Sequence, residues 1–302
     1  MAEQVAGGIA LEDIAVLLPS LDPLAALVAE RIARLPWHDG SVPVDGVPAM
    51  PVHIAGGLPL IGTAAGARAL AVVRALRAHL GGNALADVLP ALRTTGDNGR
   101  HLSRGAAMDL VWSLGTAGGN PARPEGALEW ASRLAAREPQ LDQQLAAARA
   151  AGDDPEKSGL ARQARDLERL LADLRAARPA IEALVHVSRL VVAGAPLAEL
   201  WPAIRAFLAD WLLQPGQGSR VQALLDESLA TAASGCGTLT SDDALRVIEE
   251  AINITRLPAG RFGEPAVYVG TVAGAVGLRF AAVRVIGLAE GHLPLLAHED
   301  PV

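Results

Sequence analysis

The apolar positions open with an unbroken aliphatic run at 14–18, Ile14, Ala15, Val16, Leu17 and Leu18, stopped by Pro19 and Ser20. Five apolar residues without alternation predict a strand buried on both faces, as parallel strands under helices are. Asp22 and Pro23 read as a helix cap followed by proline in the first turn. Leu24, Leu27, Val28 and Ile32 then recur at helical spacing, and the helix should end near Pro36. A second run at 52–55 is closed by Gly56 and Gly57. Thr63 should open another helix, with Leu70, Val73, Leu76 and Leu80 on one face and Gly81 and Gly82 as its stop. Strand, helix, strand, helix is the opening of an α/β layer structure.

From about Asn83 the apolar period becomes three and four, and strand signals vanish for roughly 150 residues. Ser103 reads as the cap of a helix through Trp112. Leu160, Leu167, Leu170, Leu171 and Leu174 form a stripe edged by charges of both signs, among them Arg162, Asp166, Arg169 and Asp173. That is an amphipathic helix with a solvated outer face, and the arginines up to Arg178 belong to it. Further helices fit 180–192, 197–213 and 221–231, with Gly- or Pro-rich breaks at 115–124, 152–155 and 214–218. A helix capped by Ser241, carrying Leu245, Ile248 and Ile252, is followed by a linker at 257–265. Strand signals then return at 267–271 and 283–286. The pattern predicts a parallel-sheet domain in two halves, 1–95 and 241–302, interrupted by an all-helical insertion over 96–240.

Composition narrows what this architecture can do. Of the 302 residues 51% are apolar, 20% charged and only 3% aromatic, so the core is aliphatic and disorder is excluded. The net charge of −7 gives the whole chain no nucleic-acid footprint, although a local basic groove remains open to its arginines. Cys236 is alone, which excludes a disulfide framework and a cysteine zinc cluster. The first residues read as no signal peptide and no segment reads as a membrane span, so a cytoplasmic protein is expected.

Lys157 is the single lysine. A phosphate-binding P-loop needs a glycine directly before its lysine, because the backbone must wrap the phosphates that the lysine neutralises. Glu156 stands there instead. A PD-(D/E)XK nuclease needs an acidic residue two before its lysine, and that position holds Pro155. No catalytic residue, cofactor site or metal site is therefore expected in this chain. His53, in an apolar strand, reads as a hydrogen-bonded core histidine. His292 and His298, near Glu290, Glu299 and Asp300, read as loop surface. Trp112, Trp130, Trp201 and Trp211 offer base-stacking surfaces but read as helix core.

Two segments carry a family resemblance. Residues 14–19 with 51–59 resemble the opening of the second motor domain of UvrD-like superfamily-1 helicases. Residues 269–280, running into 285–294, resemble that superfamily's motif V and the strand after it. Thr271, Gly277, Leu278 and Phe280 match the motif, while Ala273 replaces its histidine, Val276 its lysine and Arg279 its glutamate. Pro19 and Ser20 stand where active relatives place an arginine. The chain resembles the AddB-type subunits of bacterial helicase–nucleases, whose helicase half has decayed.

The resemblance implies a degenerate RecA-like domain with its helical insertion, acting as a non-catalytic DNA-binding scaffold in double-strand-break repair. The implied partners are single-stranded DNA and a helicase-active AddA-type subunit. The implied DNA contacts are Thr271, whose hydroxyl can reach a phosphate, Gly277, expected to let the backbone approach closely, and Arg279. A first RecA-like domain would precede the segment and a nuclease domain would follow it. The competing readings are half of an active helicase completed by missing segments, and a helical protein–protein adaptor with no DNA role.

Overall fold

The computed structural model describes residues 7–35, 50–93, 102–115, 117–151, 158–212, 218–235 and 239–287. Lys157, Cys236 and the His292 and His298 loop lie outside the described residues. The chain divides into two compact units, Met1–Thr63 with Arg256–Val302, and Ala64–Thr255.

The first unit is an α/β sheet. Its elements are β1 (Ile14–Leu18), α1 (Leu24–Ala33), β2 (Val52–Pro59), β3 (Arg256–Ala259), β4 (Val267–Thr271) and β5 (Ala282–Val285). The strand order is β3-β2-β4-β1-β5. β1 lies between β4 and β5, parallel to both, and β2 runs parallel to β4. Early and late parts of the chain thus share one sheet.

The sheet is mixed rather than all parallel, because the expected linker at 257–265 begins as a strand. β3 runs antiparallel to β2. The reason lies in Gly56 and Gly57, at φ +76° and +74°. They do not stop β2 but bulge it, shifting the register between Ile54 and Leu58 so that Leu58 and Pro59 pair with Leu257 and Arg256. Gly57 has no alternative, since a Cβ there would sit 2.5 Å from the Leu257 carbonyl oxygen. Pro258 is tolerated because β3 is an edge strand.

β1 is buried along its whole length, as its unbroken aliphatic run requires. Ile14, Val16 and Leu18 share one face with Val267, Val269 and Ile54 and pack under Ala25 and Ile32 of α1. Ala15 and Leu17 share the other with Tyr268, covered by Val272, Ala275 and Phe280. The connections explain this division. From β1 to β2 the chain crosses the sheet one way, and from β4 to β5 it crosses the other. Connections of one hand running in opposite directions must lie on opposite faces, and α1 and the crossover at 272–281 do.

The second unit is helical. It comprises α2 (Ala64–Arg77), α3 (Gly82–Val88), α4 (Arg104–Leu114), α5 (Glu129–Ala151), α6 (Ser158–Val192), α7 (Leu197–Trp211), α8 (Gly218–Gly235) and α9 (Ser241–Ile254). The division at 63/64 and 255/256 differs from the expected cuts at 95 and 240, because α2 and α9 pack on one another. Arg74 and Arg77 of α2 bind Glu249 of α9 at 2.8 and 2.5 Å.

Two expected helices, the stripe at 160–174 and the segment 180–192, are one helix of 35 residues that runs through Pro179. Two of its arginines are ion-paired to the neighbouring helix: Glu138 of α5 holds Arg175 and Arg178, each at 2.8 Å. Those guanidiniums, Arg175 foremost, keep the Glu138 carboxyl below its ordinary range. The caps follow the sequence in part. Ser103 accepts from the Ala106 amide at 3.2 Å as expected. At α9 it is Thr240, not Ser241, that caps, accepting from the Asp243 amide; Ser241 is buried and donates to the Ala195 carbonyl.

Candidate nucleic-acid interface

In open α/β sheets, ligands bind outside the carboxyl ends of the strands, where adjacent strands send their connections to opposite faces. Here that switch point lies between β1 and β4. Thr271 ends β4 there, opposite Leu18 in register. The Val272 amide donates to the Leu18 carbonyl at 3.1 Å and ties the turn to the end of β1. The Thr271 hydroxyl accepts from the Gly274 amide at 2.9 Å, which fixes the side chain and leaves its own proton to donate. A single 3-10 turn, Ala273–Ala275, completes the rim.

Beside it, the loop after β1 is held by a polar clamp absent from the sequence reading. Asp22 does not cap α1, whose N-cap is Pro23 with no side-chain bond. Instead its carboxylate takes Arg256 at 3.1 and 3.4 Å, while Arg256 also donates to the Gly56 and Gly57 carbonyls. Two residues more than 200 positions apart in sequence thus tie the loop after β1 to β2 and β3. Arg256 is fully engaged in this clamp, and its charge is matched by Asp22.

Of the three residues expected to contact DNA, only Thr271 sits at the rim. Gly277 lies further along the crossover at φ +87°, and a Cβ there would meet nothing within 4 Å. Within the protein, glycine there answers to the left-handed backbone, and the space beside it is open. Val276 beside it is 82% exposed. Arg279 is exposed too. The next residue, Phe280, packs its ring 5.1 Å from that of Tyr268, three residues before Thr271. At about 3.3 Å per residue this is about 10 Å back from the rim. Strand alternation adds to the separation, because Thr271 falls in line with Val267 and Val269 toward α1. The three residues are strung along the crossover rather than gathered.

The crossover face holds an aromatic group. The His53 ring lies 5.7 Å from Tyr268 and 6.1 Å from Phe262. Burial pushes the Tyr268 phenol up. His53 departs from its expected role: its Nδ1 is buried and has no hydrogen-bond partner among the described residues.

The tryptophans divide. Trp130 is fully buried and donates to the Leu80 carbonyl at 2.8 Å. Trp201 is buried and donates to Asp226 at 2.7 Å. Trp112 is the correction, standing 75% exposed. Ala107, Leu110, Val111 and Leu114 form the buried stripe of α4, and Trp112 falls outside that spacing, a signal the sequence carried. No group of three or more potential metal ligands occurs among the described residues, and no described helix is long and apolar enough to cross a membrane.

Neither a protein-family model nor a curated protein matches this chain. What the site does must come from its own chemistry.

Proposed function

We propose that this chain is a non-catalytic scaffold that guides single-stranded DNA, a degenerate RecA-like domain with its helical block, working beside a helicase-active AddA-type subunit. The observation that carries the reading is the position of Thr271. The one polar residue among the four positions that match motif V ends a central parallel strand at the switch point of the sheet, with its hydroxyl oriented by the Gly274 amide. A hydroxyl so placed donates to a phosphate oxygen. Arg279 adds an exposed cation on the same crossover. The lysine count supports the non-catalytic half of the reading: Lys157 has neither the glycine of a P-loop nor the carboxylate of a nuclease site before it.

Single-strand affinity measured across a salt series tests this. Each phosphate neutralised on a single strand contributes about 0.7 to the slope of log K against log salt. Arg279→Ala should flatten the slope by about that amount. Thr271→Ala removes a neutral contact worth about 1 kcal/mol, so affinity should fall roughly fivefold with the slope unchanged. Wild-type behaviour in both folded variants would remove this surface. A wild-type chain that binds no single strand at low salt would leave the helical adaptor.

A further inference from the structure

We infer that the helical unit carries a stacking pocket for one nucleobase of a single strand, with Trp112 as its platform; this rests on the DNA-scaffold reading above but uses a different surface. Beside Trp112 lies a cavity of about 310 Å³ lined by Gly82, Asn83, Val111 and Gly115. That volume stands at the small end of ligand sites, roughly 300–1,000 Å³, enough for one ring system and too little for a helix.

The lining has the parts that base recognition needs. The indole offers a flat face, most of it in water. The two glycines keep the wall low, and the space a Cβ would fill is met by the Val111 side chain at Gly82, 3.3 Å away, and by the Arg133 guanidinium at Gly115, 3.0 Å away, so the pocket floor is side-chain stems beside the indole. Asn83 is exposed and carries both a donor and an acceptor, the pair that a base edge presents. A protein partner fits less well. Interface cores gather several exposed apolar residues, and in this unit the only other large hydrophobic exposed among the described residues is Ile254, on α9. An isolated exposed tryptophan beside a small pocket is a stacking platform.

Charge sets this pocket apart from the β4 rim. Arg133 borders Gly115, but it is already bound to Glu129 at 2.9 Å and to the Leu114 carbonyl. Among the described residues no unmatched cation lines the cavity, and base binding here should depend on stacking and hardly on salt.

The test titrates the full chain with oligo-dT of about 15 nucleotides, following tryptophan emission and affinity for wild type, Trp112→Ala and Trp112→Phe. Trp112 is largely in solvent, so both variants should keep the wild-type circular dichroism and melting point. Binding should quench the wild-type emission. Trp112→Ala should lose roughly five- to 150-fold in affinity with an unchanged salt slope, the range of one stacked base. Trp112→Phe should recover most of that affinity, and the quench should be gone from both variants. Wild-type affinity in Trp112→Ala, with Thr271→Ala still weakened, overturns the pocket and leaves the scaffold reading standing. No single-strand binding by the wild-type chain overturns both. Thymidine monophosphate that quenches and saturates as tightly as the oligonucleotide makes this a free-nucleotide pocket and overturns the assignment to a strand.

Discussion

Trp130 anchors the turn that supports that pocket, and its removal can be worked through from the structure. His79 and Leu80, between α2 and α3, stand at φ +47° and +50°. A left-handed conformation costs a residue with a side chain roughly 1–2 kcal/mol, so the turn persists only if its surroundings hold it. Three things do. The Leu80 side chain is fully buried, the Gly119 amide donates to the His79 carbonyl at 2.9 Å, and the Trp130 indole donates to the Leu80 carbonyl at 2.8 Å. A buried tryptophan removes about 150–250 Å² from water. At about 25 cal/mol per Å² that gives an upper bound of about 4–6 kcal/mol, so Trp130→Ala should cost about 3–5 kcal/mol. Trp130→Phe keeps most of the apolar area but strands the buried Leu80 carbonyl, and should cost about 2 kcal/mol. Urea unfolding followed by far-ultraviolet circular dichroism measures both, read from midpoints at constant m. A Trp130→Phe midpoint within about 0.5 kcal/mol of wild type would show that the indole N–H does not hold the turn.

Two further predictions concern the backbone and pH. Gly57→Ala places a Cβ against the Leu257 carbonyl in a left-handed backbone, and should cost about 3 kcal/mol or more, while Gly277→Ala in open space should cost about 1 kcal/mol. Equal losses on urea unfolding would refute the bulge argument. Glu138 and Glu249 are both held below the ordinary carboxylate range, first by bonds from Arg175 and Arg74 respectively. Depressed carboxylates give stability that is present above the unfolded value near about 4.3 and lost as pH falls through the folded one. Stability measured from pH 6 downward should therefore fall less steeply in Glu138→Gln/Glu249→Gln than in wild type, and an identical slope would sink the assignment.

The run at 14–18 was legible as a strand because a parallel strand buried on both faces needs apolar residues at every position, and 267–271 through its β-branched and aromatic Val267, Tyr268 and Val269. β3 was not, because a four-residue edge strand containing Pro258 has no apolar signature and exists through the register that the Gly56 and Gly57 bulge creates in β2. The helices were legible in place but not in length. Pro179 reads as a break in one dimension, yet α6 continues through it, packed along α5. Asp22 illustrates the general limit. A carboxylate before a proline fits a helix cap locally, and only the fold brings Arg256 to claim it.

The candidate site shows the same limit from the other side. A motif is a string, so Thr271, Gly277 and Arg279 read as one cluster within nine residues. The structure instead puts Thr271 at the rim, on the α1 side of the strand alternation, and carries the chain back over the opposite face before Arg279. Residues set on opposite sides of the strand with no shared partner act independently, and their free energies add within about 0.5 kcal/mol. The Thr271→Ala, Arg279→Ala double variant should therefore lose the product of the two single losses in single-strand affinity, with the salt slope of Arg279→Ala alone. A coupling above about 1 kcal/mol would mean that one phosphate bridges both residues. The crossover would then have to close toward the rim on binding, which its 3-10 turn and the Phe280–Tyr268 packing oppose.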